Sequence, residues 1–289
     1  MTRVAVVGLG LMGASFAMAL RRAQPELTVL GVDRDQAAVS KAVKREMVTA
    51  ATTDLEAIAG ASPVILAVPI SALAALLPRV GALARGSLVT DMASTKTNVM
   101  GWARAAGVDL VGGHPMCGRE MSGTDAADPD IFRNAPWALT RHEAGLEQLI
   151  RAVGARPLVI TAERHDELVA AVSHAAFVIS IAYVLGLAAS AEWPEMAALA
   201  GSGFRDMSRL AAGDPGMYAE IAAANRDHIE RALGEFDRTL SRLRRHLSAG
   251  DSRMVELFEE ARTARRRWEA QRLDLPSSER RRGEAAGGR

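Results

Sequence analysis

The chain has 289 residues, which is enough for two domains with a substantial core. Its 35 lysines and arginines balance 34 aspartates and glutamates, and the resulting net charge of +1 excludes a general attraction to nucleic acid or to an anionic membrane. The single cysteine, Cys117, excludes an intrachain disulfide and indicates a reducing, cytoplasmic environment.

A glycine-rich segment follows the first predicted strand, at residues 4–7. Gly8, Gly10 and Gly13 have the G-x-G-x-x-G spacing, and a helix-compatible stretch at residues 14–23 comes next. In such a turn the first glycine permits a tight bend, the second lets the backbone approach a pyrophosphate, and the third allows close packing of helix against strand. The first-turn N–H groups and the helix dipole favour the negative phosphates. This pattern predicts a dinucleotide-binding site.

Asp33 ends the second predicted apolar run, about 20 residues beyond the glycines, as the dinucleotide fingerprint requires. A carboxylate there can accept hydrogen bonds from both ribose hydroxyls and repels a 2′-phosphate, so it favours NAD. Arg34 could instead pair with a 2′-phosphate, which leaves NADP as an alternative. A rigid turn at Val68 and Pro69 is also expected beside the cofactor. The predicted cofactor-binding residues are Gly8, Gly10, Leu11, Met12, Gly13, Asp33, Arg34, Val68 and Pro69.

Up to about residue 160, short β-rich runs alternate with helical stretches, which is the pattern of a parallel sheet covered by helices on both faces. Strands are predicted at residues 4–7, 29–32, 64–68, 87–91, 109–112, 137–140 and 157–160. Helices are predicted at residues 14–23, 36–44, 70–83, 96–106 and 143–153, with Asp54 and Thr95 as N-caps. We therefore expect an α/β protein whose residues 1–161 form a Rossmann-type, doubly wound dinucleotide-binding domain.

After residue 161 the pattern becomes helical, with helices predicted at residues 163–190, 193–211, 215–249 and 252–273. Residues 162–274 are thus predicted to form an all-α substrate and dimerisation domain, because such helices must bury apolar faces on one another or on a second subunit. The apolar stretch at 169–189 contains a histidine and two serines, so we interpret it as a buried helix rather than a membrane span. We expect a homodimer, and a disordered, arginine-rich tail at residues 275–289.

His114 follows a predicted strand at the carboxyl edge of the sheet, where ligands bind in this architecture. Its neighbours Gly112 and Gly113 indicate a loop, and a histidine that titrates near neutrality suits acid–base catalysis there. Cys117 lies beside it without acyl-transfer machinery, so we interpret it as a small loop residue and not as a nucleophile. The six histidines show no metal-ligand spacing, and we expect no metal.

Several motifs, in order from residue 3 to about 230, resemble the prephenate/arogenate dehydrogenase family. Besides the glycine fingerprint they are Asp91-x-x-Ser94-x-Lys96, Gly113-His114-Pro115-Met116-x-Gly118, Val172-Ser173-His174 and Gly203-Phe204-Arg205-Asp206-x-x-Arg209. The resemblance implies NAD-dependent oxidative decarboxylation of prephenate to 4-hydroxyphenylpyruvate in tyrosine biosynthesis. Its alternatives are arogenate dehydrogenase activity and dual specificity for both substrates.

The resemblance also implies roles for individual residues. His114 would accept the proton of the ring hydroxyl, while Ser94 would bind the same hydroxyl and orient the imidazole. Arg209 would hold a substrate carboxylate, with Arg205 as a second cation for that role. Lys96 would order its loop or neutralise substrate charge.

One departure from the family pattern bears on the substrate. The pattern Ser-His-Leu-Pro-His reads Ser173-His174-Ala175-Ala176-Phe177 here, so the first histidine is kept and the second is replaced. Ser173 and His174 are carried over as substrate-binding residues, whereas Phe177 makes arogenate a serious contender. His165 and Asp166 resemble a family pair for which we expect a structural or interdomain role.

Three other interpretations stay open. The first is another two-domain dehydrogenase, although residues 169–230 lack the lysine on which β-hydroxyacid dehydrogenases usually depend. The second is a nucleotide sensor without catalysis, and the third is a nucleic-acid-binding protein that uses the basic tail. The sequence leaves open the choice between prephenate and arogenate, the strictness for NAD, inhibition by tyrosine and the role of the tail.

Overall fold

The computed structural model describes residues 3–273 of the chain. The arginine-rich segment predicted to be disordered, residues 275–289, lies outside these described residues. Strands and helices alternate as far as Val159, and the described residues that follow are helical.

Six parallel strands form the first sheet, in the order β3-β2-β1-β4-β5-β6. They are β1 (Arg3–Val7), β2 (Thr28–Val32), β3 (Ala50–Thr52), β4 (Val64–Leu66), β5 (Val89–Asp91) and β6 (Leu110–Val111). The accompanying helices are α1 (Leu11–Ala23), α2 (Gln36–Lys44), α3 (Ile70–Leu83) and α4 (Thr97–Ala105). This strand order is that of dinucleotide-binding doubly wound folds, so the predicted fold class is confirmed.

Alternate residues of β1 face two different hydrophobic cores. Val4 and Val6 belong to the core that α1 and α5 (Ala144–Ala152) cover, and Ala5 and Val7 belong to the core that α3 and α4 cover. Both faces of the sheet are therefore buried, as its nearly continuous apolar strands require. Phe177 and Ile221, from the helical part of the chain, also pack into the second core.

A second, three-stranded sheet replaces the end of the single parallel sheet that the sequence predicts. It contains β7 (Gly113–Pro115), β8 (Pro136–Leu139) and β9 (Arg156–Val159), with β7 antiparallel to β8. His114 thus lies on a strand, and its prediction as a loop residue is wrong. The chain leaves β6 and passes the end of β5 so closely that a Cβ on Gly113 would come within 2.5 Å of the carbonyl oxygen of Asp91. Only glycine permits this approach, which starts the new strand.

The predicted helices after residue 161 are present but shorter. They are α6 (Ala162–Val169), a π-helical turn (Ala170–His174), α7 (Ala175–Ala188), α8 (Trp193–Leu199), α9 (Ser202–Ser208), a 3-10 turn (Arg209–Ala212), α10 (Pro215–Ala224), α11 (Arg226–Ala249) and α12 (Arg253–Leu273). Pro215 begins α10, where its fixed φ suits the first helical turn, and Asp214 caps that helix through the N–H of Met217. This local chemistry divides the helix predicted at residues 215–249 from the one before it.

Within the described residues one helical stretch, Ala162–Ala188, is long and apolar enough to cross a membrane by length and composition alone. The core helix of a globular protein passes the same test. About a third of its most apolar window is buried in the single chain, and Val172 and Leu185 are largely exposed. The buried helix predicted at residues 169–189 is therefore buried on one face only in the single chain.

Backbone contacts divide the chain into two compact units, one ending at Ala232 and the other beginning at Leu233. This division lies inside α11, and the first unit contains both sheets together with the helices as far as α10. The domain boundary predicted after residue 161 falls within that first unit and stays a prediction from the sequence pattern.

Candidate active site

The three glycines of the β1–α1 turn have distinct surroundings. Gly8 has a φ of +96°, and a Cβ there would lie 2.4 Å from the carbonyl oxygen of Ala67. A Cβ on Gly13 would lie 1.9 Å from the carbonyl oxygen of Gly8, so α1 packs directly on the turn. A Cβ on Gly10 would meet no atom within 4 Å. The turn is therefore closed at Gly8 and Gly13 and open at Gly10, where a pyrophosphate is expected to approach.

The N-terminus of α1 faces this open side. Its N-cap is Gly10, and no side chain caps the helix. Leu11, Met12 and Gly13 form the first helical turn, whose N–H groups and dipole suit an anion. Val68 lies beside the turn, with its Cγ1 3.1 Å from where a Cβ of Gly8 would be. These residues fit the phosphates of a dinucleotide.

An acidic cleft of about 300 Å³ lies next to the glycine turn. Asp33 lines it and accepts hydrogen bonds from the N–H groups of Leu9 (2.6 Å) and Asp35 (2.9 Å). Asp125 also lines the cleft and pairs with Lys41 across 2.5 Å. Asp33 thus stabilises the glycine turn through its hydrogen bond from Leu9, and it also faces the space expected for the adenosine ribose. Arg34 is exposed and is absent from this lining.

His114 belongs to a buried chain of hydrogen bonds. Its Nδ1 lies 2.9 Å from Nε2 of His165, and Nδ1 of His165 lies 2.7 Å from Oδ1 of Asp166. All three side chains are buried. Burial, with smaller contributions from His165, Lys96 and His174, holds the pKa of His114 well below its ordinary value. The imidazole of His114 is therefore neutral at physiological pH and able to accept a proton.

Asp166 also caps a helix of the other half of the molecule. Its two carboxylate oxygens accept from the N–H groups of Lys96 (2.7 Å) and Thr97 (2.8 Å), which begin α4. The prediction of Thr95 as this N-cap is wrong, because the Thr95 hydroxyl is buried without a partner among residues 3–273. The carboxylate from α6 satisfies the helix N-terminus instead.

Lys96 orders the loop in which it lies. Its side chain is 1% exposed, and its ammonium forms an ion pair with Asp91 and donates to the carbonyl oxygen of Gly113 across 2.7 Å. Asp91 in turn accepts from the N–H of Gly113 (2.9 Å). Lys96 therefore fixes the start of the His114 strand, which is one of the two roles expected for it. Its other expected role, as a substrate-binding cation, stays a prediction.

His174 is buried with one unpaired ring nitrogen. Its Nδ1 lies 3.0 Å from the Asn225 amide nitrogen, which also donates to the carbonyl oxygen of Asp166. Because the amide nitrogen is a donor, Nδ1 of His174 accepts and Nε2 carries the proton. This Nε2 has no partner within the described part of the chain. Burial lowers the pKa of His174 to about 4, so a neutral N–H donor is available for a ligand.

The depressed pKa of His174 predicts a pH-dependent stability. In the unfolded chain His174 takes up a proton near its ordinary pKa of 6.5, whereas in the folded chain it does so only near pH 4. His174 therefore leaves the free energy of unfolding unchanged above pH 6.5 and lowers it progressively as the pH falls from 6.5 towards 4. When the pH is lowered from 7.5 to 5, this histidine should reduce the free energy of unfolding by about 2 kcal/mol. Urea denaturation at both pH values measures the loss.

The matched variant for this measurement is His174→Gln, which has no group that titrates in the window. Its difference in stability between pH 7.5 and pH 5 should be smaller than that of the wild type by this amount. His114 adds to the wild-type slope in the same direction, whereas the lowered pKa of Asp166 acts only in more acidic solution. Equal slopes for the two proteins would contradict the neutral, buried state of His174.

Phe177 stacks face to face on Tyr218, with ring centroids 4.2 Å apart and an interplanar angle of 9°. The centroid of the Phe177 ring lies 6.1 Å from that of His174. Burial and the nearby Glu120 raise the pKa of Tyr218, while Arg209 opposes them, so Glu120 and Arg209 lie close to Tyr218. The position where the family pattern has a second histidine is thus filled by a phenyl ring that stacks on Tyr218.

Arg209, the predicted carboxylate anchor, forms an ion pair with Glu120. Glu120 lies six residues after His114, so one segment carries both the imidazole and the partner of the guanidinium. Arg205 is more exposed and lies 3.6 Å from Asp206. Glu120 and Tyr218 were not predicted from the sequence. The only sequence signal for them is that they follow two of the family motifs.

The other predicted residues are arranged less tightly. Ser94 and Ser173 are half-buried. The imidazole of His114 is hydrogen-bonded to His165, and both roles expected of Ser94, orienting the imidazole and binding the ring hydroxyl, stay predictions. Burial raises the pKa of the Cys117 thiol to about 12, so this thiol stays neutral and is not an activated nucleophile.

Two family models match the chain. One describes the nucleotide-binding domain of prephenate dehydrogenase and matches residues 16–156, and the other describes the dimerization domain of prephenate dehydrogenase and matches residues 161–261. The prephenate dehydrogenase of Lactococcus lactis subsp. cremoris is 32% identical over 285 residues, which cover 96% of this chain and 80% of that protein.

Solved structures are similar as well. The crystal structure of Synechocystis arogenate dehydrogenase superposes with a TM-score of 0.77 and 31% identity, covering 92% of this chain and 100% of that one. The crystal structure of prephenate dehydrogenase from A. aeolicus in complex with hydroxyphenyl propionate and NAD⁺ superposes with a TM-score of 0.83 and 26% identity, covering 92% and 98%.

Proposed function

The chain belongs to the prephenate dehydrogenase family, and we propose that it converts prephenate to 4-hydroxyphenylpyruvate by NAD-dependent oxidative decarboxylation, in tyrosine biosynthesis. The observation that carries this proposal is the buried imidazole of His114. Its Nδ1 is bound to His165, and its Nε2 has no hydrogen-bond partner among residues 3–273. A neutral ring nitrogen left open in this way can accept the proton of a substrate hydroxyl.

The reaction removes a hydride from the ring carbon that carries the hydroxyl and expels the ring carboxylate as CO₂. NAD⁺ bound at the glycine turn would supply the hydride acceptor. His114 takes the hydroxyl proton at Nε2 as the carbon–oxygen double bond forms. When the electron pair left by CO₂ enters the ring and makes it aromatic, His114 returns the proton to the oxygen, which gives the phenol. Aromatisation supplies the driving force, so the protein has to provide a proton acceptor and groups that orient the substrate.

The substrate carboxylates need cationic or N–H partners. Arg209 is the proposed anchor, and Glu120 holds its guanidinium in place before the substrate arrives. The unpaired Nε2 of His174 is the proposed donor to a second oxygen of the substrate, because a buried N–H without a partner costs free energy until a ligand satisfies it.

Arogenate is the second candidate substrate, and the stack of Phe177 on Tyr218 favours it. By the family resemblance the replaced histidine would lie near the pyruvyl side chain of prephenate, and the phenyl ring of Phe177 offers no comparable hydrogen bond. The proposal therefore extends to a dual specificity in which both side chains are accepted.

Steady-state kinetics with prephenate and arogenate, each with NAD⁺ and NADP⁺, tests the proposed function. We expect turnover of prephenate with NAD⁺, and a higher KM or no saturation with NADP⁺, because Asp33 and Asp125 would face a 2′-phosphate. Turnover of arogenate alone would replace the first candidate by the second. No turnover of either substrate would contradict the proposed reaction.

Replacing Arg209 with alanine should raise the KM for the substrate roughly 10- to 100-fold, which corresponds to the loss of one charge-assisted hydrogen-bonded pair. The KM for NAD⁺ should change little, since the glycine turn is untouched. Arg205→Ala is the matched control, because its guanidinium is exposed and lies near Asp206 only. An unchanged KM in Arg209→Ala, with an increase in Arg205→Ala, would move the anchor to Arg205.

We also propose a homodimer formed through the helical region. The support is the exposed apolar surface on α7 and its neighbours, where Leu185 is 64% and Leu199 is 88% exposed. Surfaces of this kind mark association sites in soluble proteins. Analytical ultracentrifugation should give twice the 30.7 kDa mass of the chain, and a monomer at micromolar concentration would contradict the proposal.

A further inference from the structure

His165 and Asp166 form one hydrogen-bonded chain with His114, although the sequence pattern suggests only a structural role for this pair. We propose that they are positioning residues: Asp166 acts through His165 to hold His114 in the tautomer whose Nε2 is unprotonated. The inference rests on the proposed function, in which that nitrogen receives the hydroxyl proton.

The chain of hydrogen bonds has its fixed end at Asp166. Burial alone would raise the pKa of this carboxyl, but the hydrogen bonds from His165 and from the backbone of Thr97 and Lys96 outweigh burial and lower it. An ionised carboxylate can only accept hydrogen bonds. The ring nitrogen 2.7 Å away, Nδ1 of His165, must therefore carry a proton and donate it.

The protonation of His165 then determines that of His114. A neutral imidazole has one donor and one acceptor nitrogen, so with Nδ1 donating to Asp166, Nε2 of His165 accepts. Nδ1 of His114, 2.9 Å away, is the donor to it. The remaining nitrogen of His114, Nε2, is left with a lone pair. Among the described residues, neither a backbone carbonyl group nor Ser94 accepts a hydrogen bond from Nδ1 of His114.

The same arrangement stabilises the charge that the reaction creates. When the hydroxyl proton moves to Nε2 of His114, the ring becomes an imidazolium whose Nδ1–H still donates to His165. The negative charge of Asp166 lies two hydrogen bonds away and compensates the new positive charge through His165. No proton has to leave His165 in this step, so the atoms and charges balance on His114 and the substrate.

Of the described groups around His114, only His165 forms a hydrogen bond with its imidazole, so the tautomer of His114 depends on His165. Lys96 and His174 lower its pKa together with His165, and Lys96 is itself paired with Asp91. None of these other groups makes a hydrogen bond with the imidazole of His114. With His165 removed, nothing in the described residues would distinguish the two neutral tautomers.

Two substitutions separate positioning from simple packing. In His165→Gln the side-chain amide can accept from His114 and donate to Asp166, whereas His165→Leu fills the space without polar atoms. We expect kcat of the leucine variant to fall roughly 10²-fold, as for loss of a group that orients a catalytic imidazole. The glutamine variant should recover most of this loss. The KM for NAD⁺ should stay within about twofold in both.

Nitrogen-15 NMR of the histidine rings provides a readout independent of turnover. In the wild type His114 should show a protonated Nδ1 and an unprotonated Nε2, and in His165→Leu a mixture of the two tautomers. His114→Asn identifies the signals by their disappearance. His142→Leu is the control variant, because its ring is exposed and paired with Glu147. It should change neither the His114 signals nor kcat.

The outcomes separate this inference from the proposed function. A wild-type His114 protonated at Nε2, or an equal loss of kcat in the glutamine and leucine variants, overturns the positioning role while turnover of prephenate stands. Absence of turnover in the wild type overturns the function, and the NMR measurement still decides the tautomer. If His165→Leu does not fold, the tautomer of His114 in the wild-type spectrum and in the spectrum of His165→Gln decides the proposal.

Discussion

Replacing His114 with asparagine is expected to lower kcat by roughly 10²–10⁴-fold, the range for losing a general base. Asparagine keeps a polar side chain of similar reach but cannot take up the hydroxyl proton. The substituted side chain lies on β7, whereas the dinucleotide site is built by the turn between β1 and α1. NAD⁺ should therefore bind with a Kd close to that of the wild type. Steady-state kinetics and fluorescence titration with the dinucleotide measure the two quantities.

The matched control for this substitution is His142→Asn. The side chain of His142 is 82% exposed and pairs with Glu147 outside the buried chain of hydrogen bonds, so its replacement should leave kcat unchanged. Near-normal turnover in His114→Asn would remove the imidazole from the role of proton acceptor. A large loss of NAD⁺ binding would instead indicate that β7 helps to form the cofactor site.

Replacing Gly13 with alanine should reduce the unfolding free energy by about 3 kcal/mol, at the upper end of the cost of overpacking. The new methyl group would lie 1.9 Å from the carbonyl oxygen of Gly8, so α1 has to move away from the turn. Alanine gains about 1 kcal/mol over glycine from helix propensity, which offsets only part of this cost. Urea denaturation measures the loss, and NAD⁺ binding should fall with it.

Gly10→Ala is the control for this prediction, since its methyl group would meet no atom within 4 Å and its φ of −70° suits alanine. The stability of this variant should stay within about 0.5 kcal/mol of the wild type. The Kd for NAD⁺ should nevertheless rise, because the methyl group occupies the space through which the pyrophosphate approaches the backbone. Normal NAD⁺ binding in Gly10→Ala, or normal stability in Gly13→Ala, would contradict the geometry of the turn.

The sequence by itself determined the features that depend on local pattern. The helices Gln36–Lys44 and Ile70–Leu83 were predicted with the bounds that the structure has, because an apolar period of about 3.6 residues and the flanking turn residues define a helix locally. The glycine turn and Asp33 were identified for the same reason: steric and electrostatic requirements of a dinucleotide fall on a short stretch of chain. His114 was identified from its position after a predicted strand and then from a family motif, whereas Arg209 was identified from a family motif alone.

Only the tertiary structure decided which of these residues meet. His165 lies 51 positions from His114, Asp166 caps a helix about 70 positions away, and Glu120 pairs with Arg209 across 89 positions. The sequence pattern gave the helix cap to Thr95 and left two roles open for Lys96, because it shows neither the carboxylate that α6 brings nor the pairing of Lys96 with the buried Asp91. The second sheet was missed likewise, since pairing between distant strands depends on packing and not on the period of a single strand.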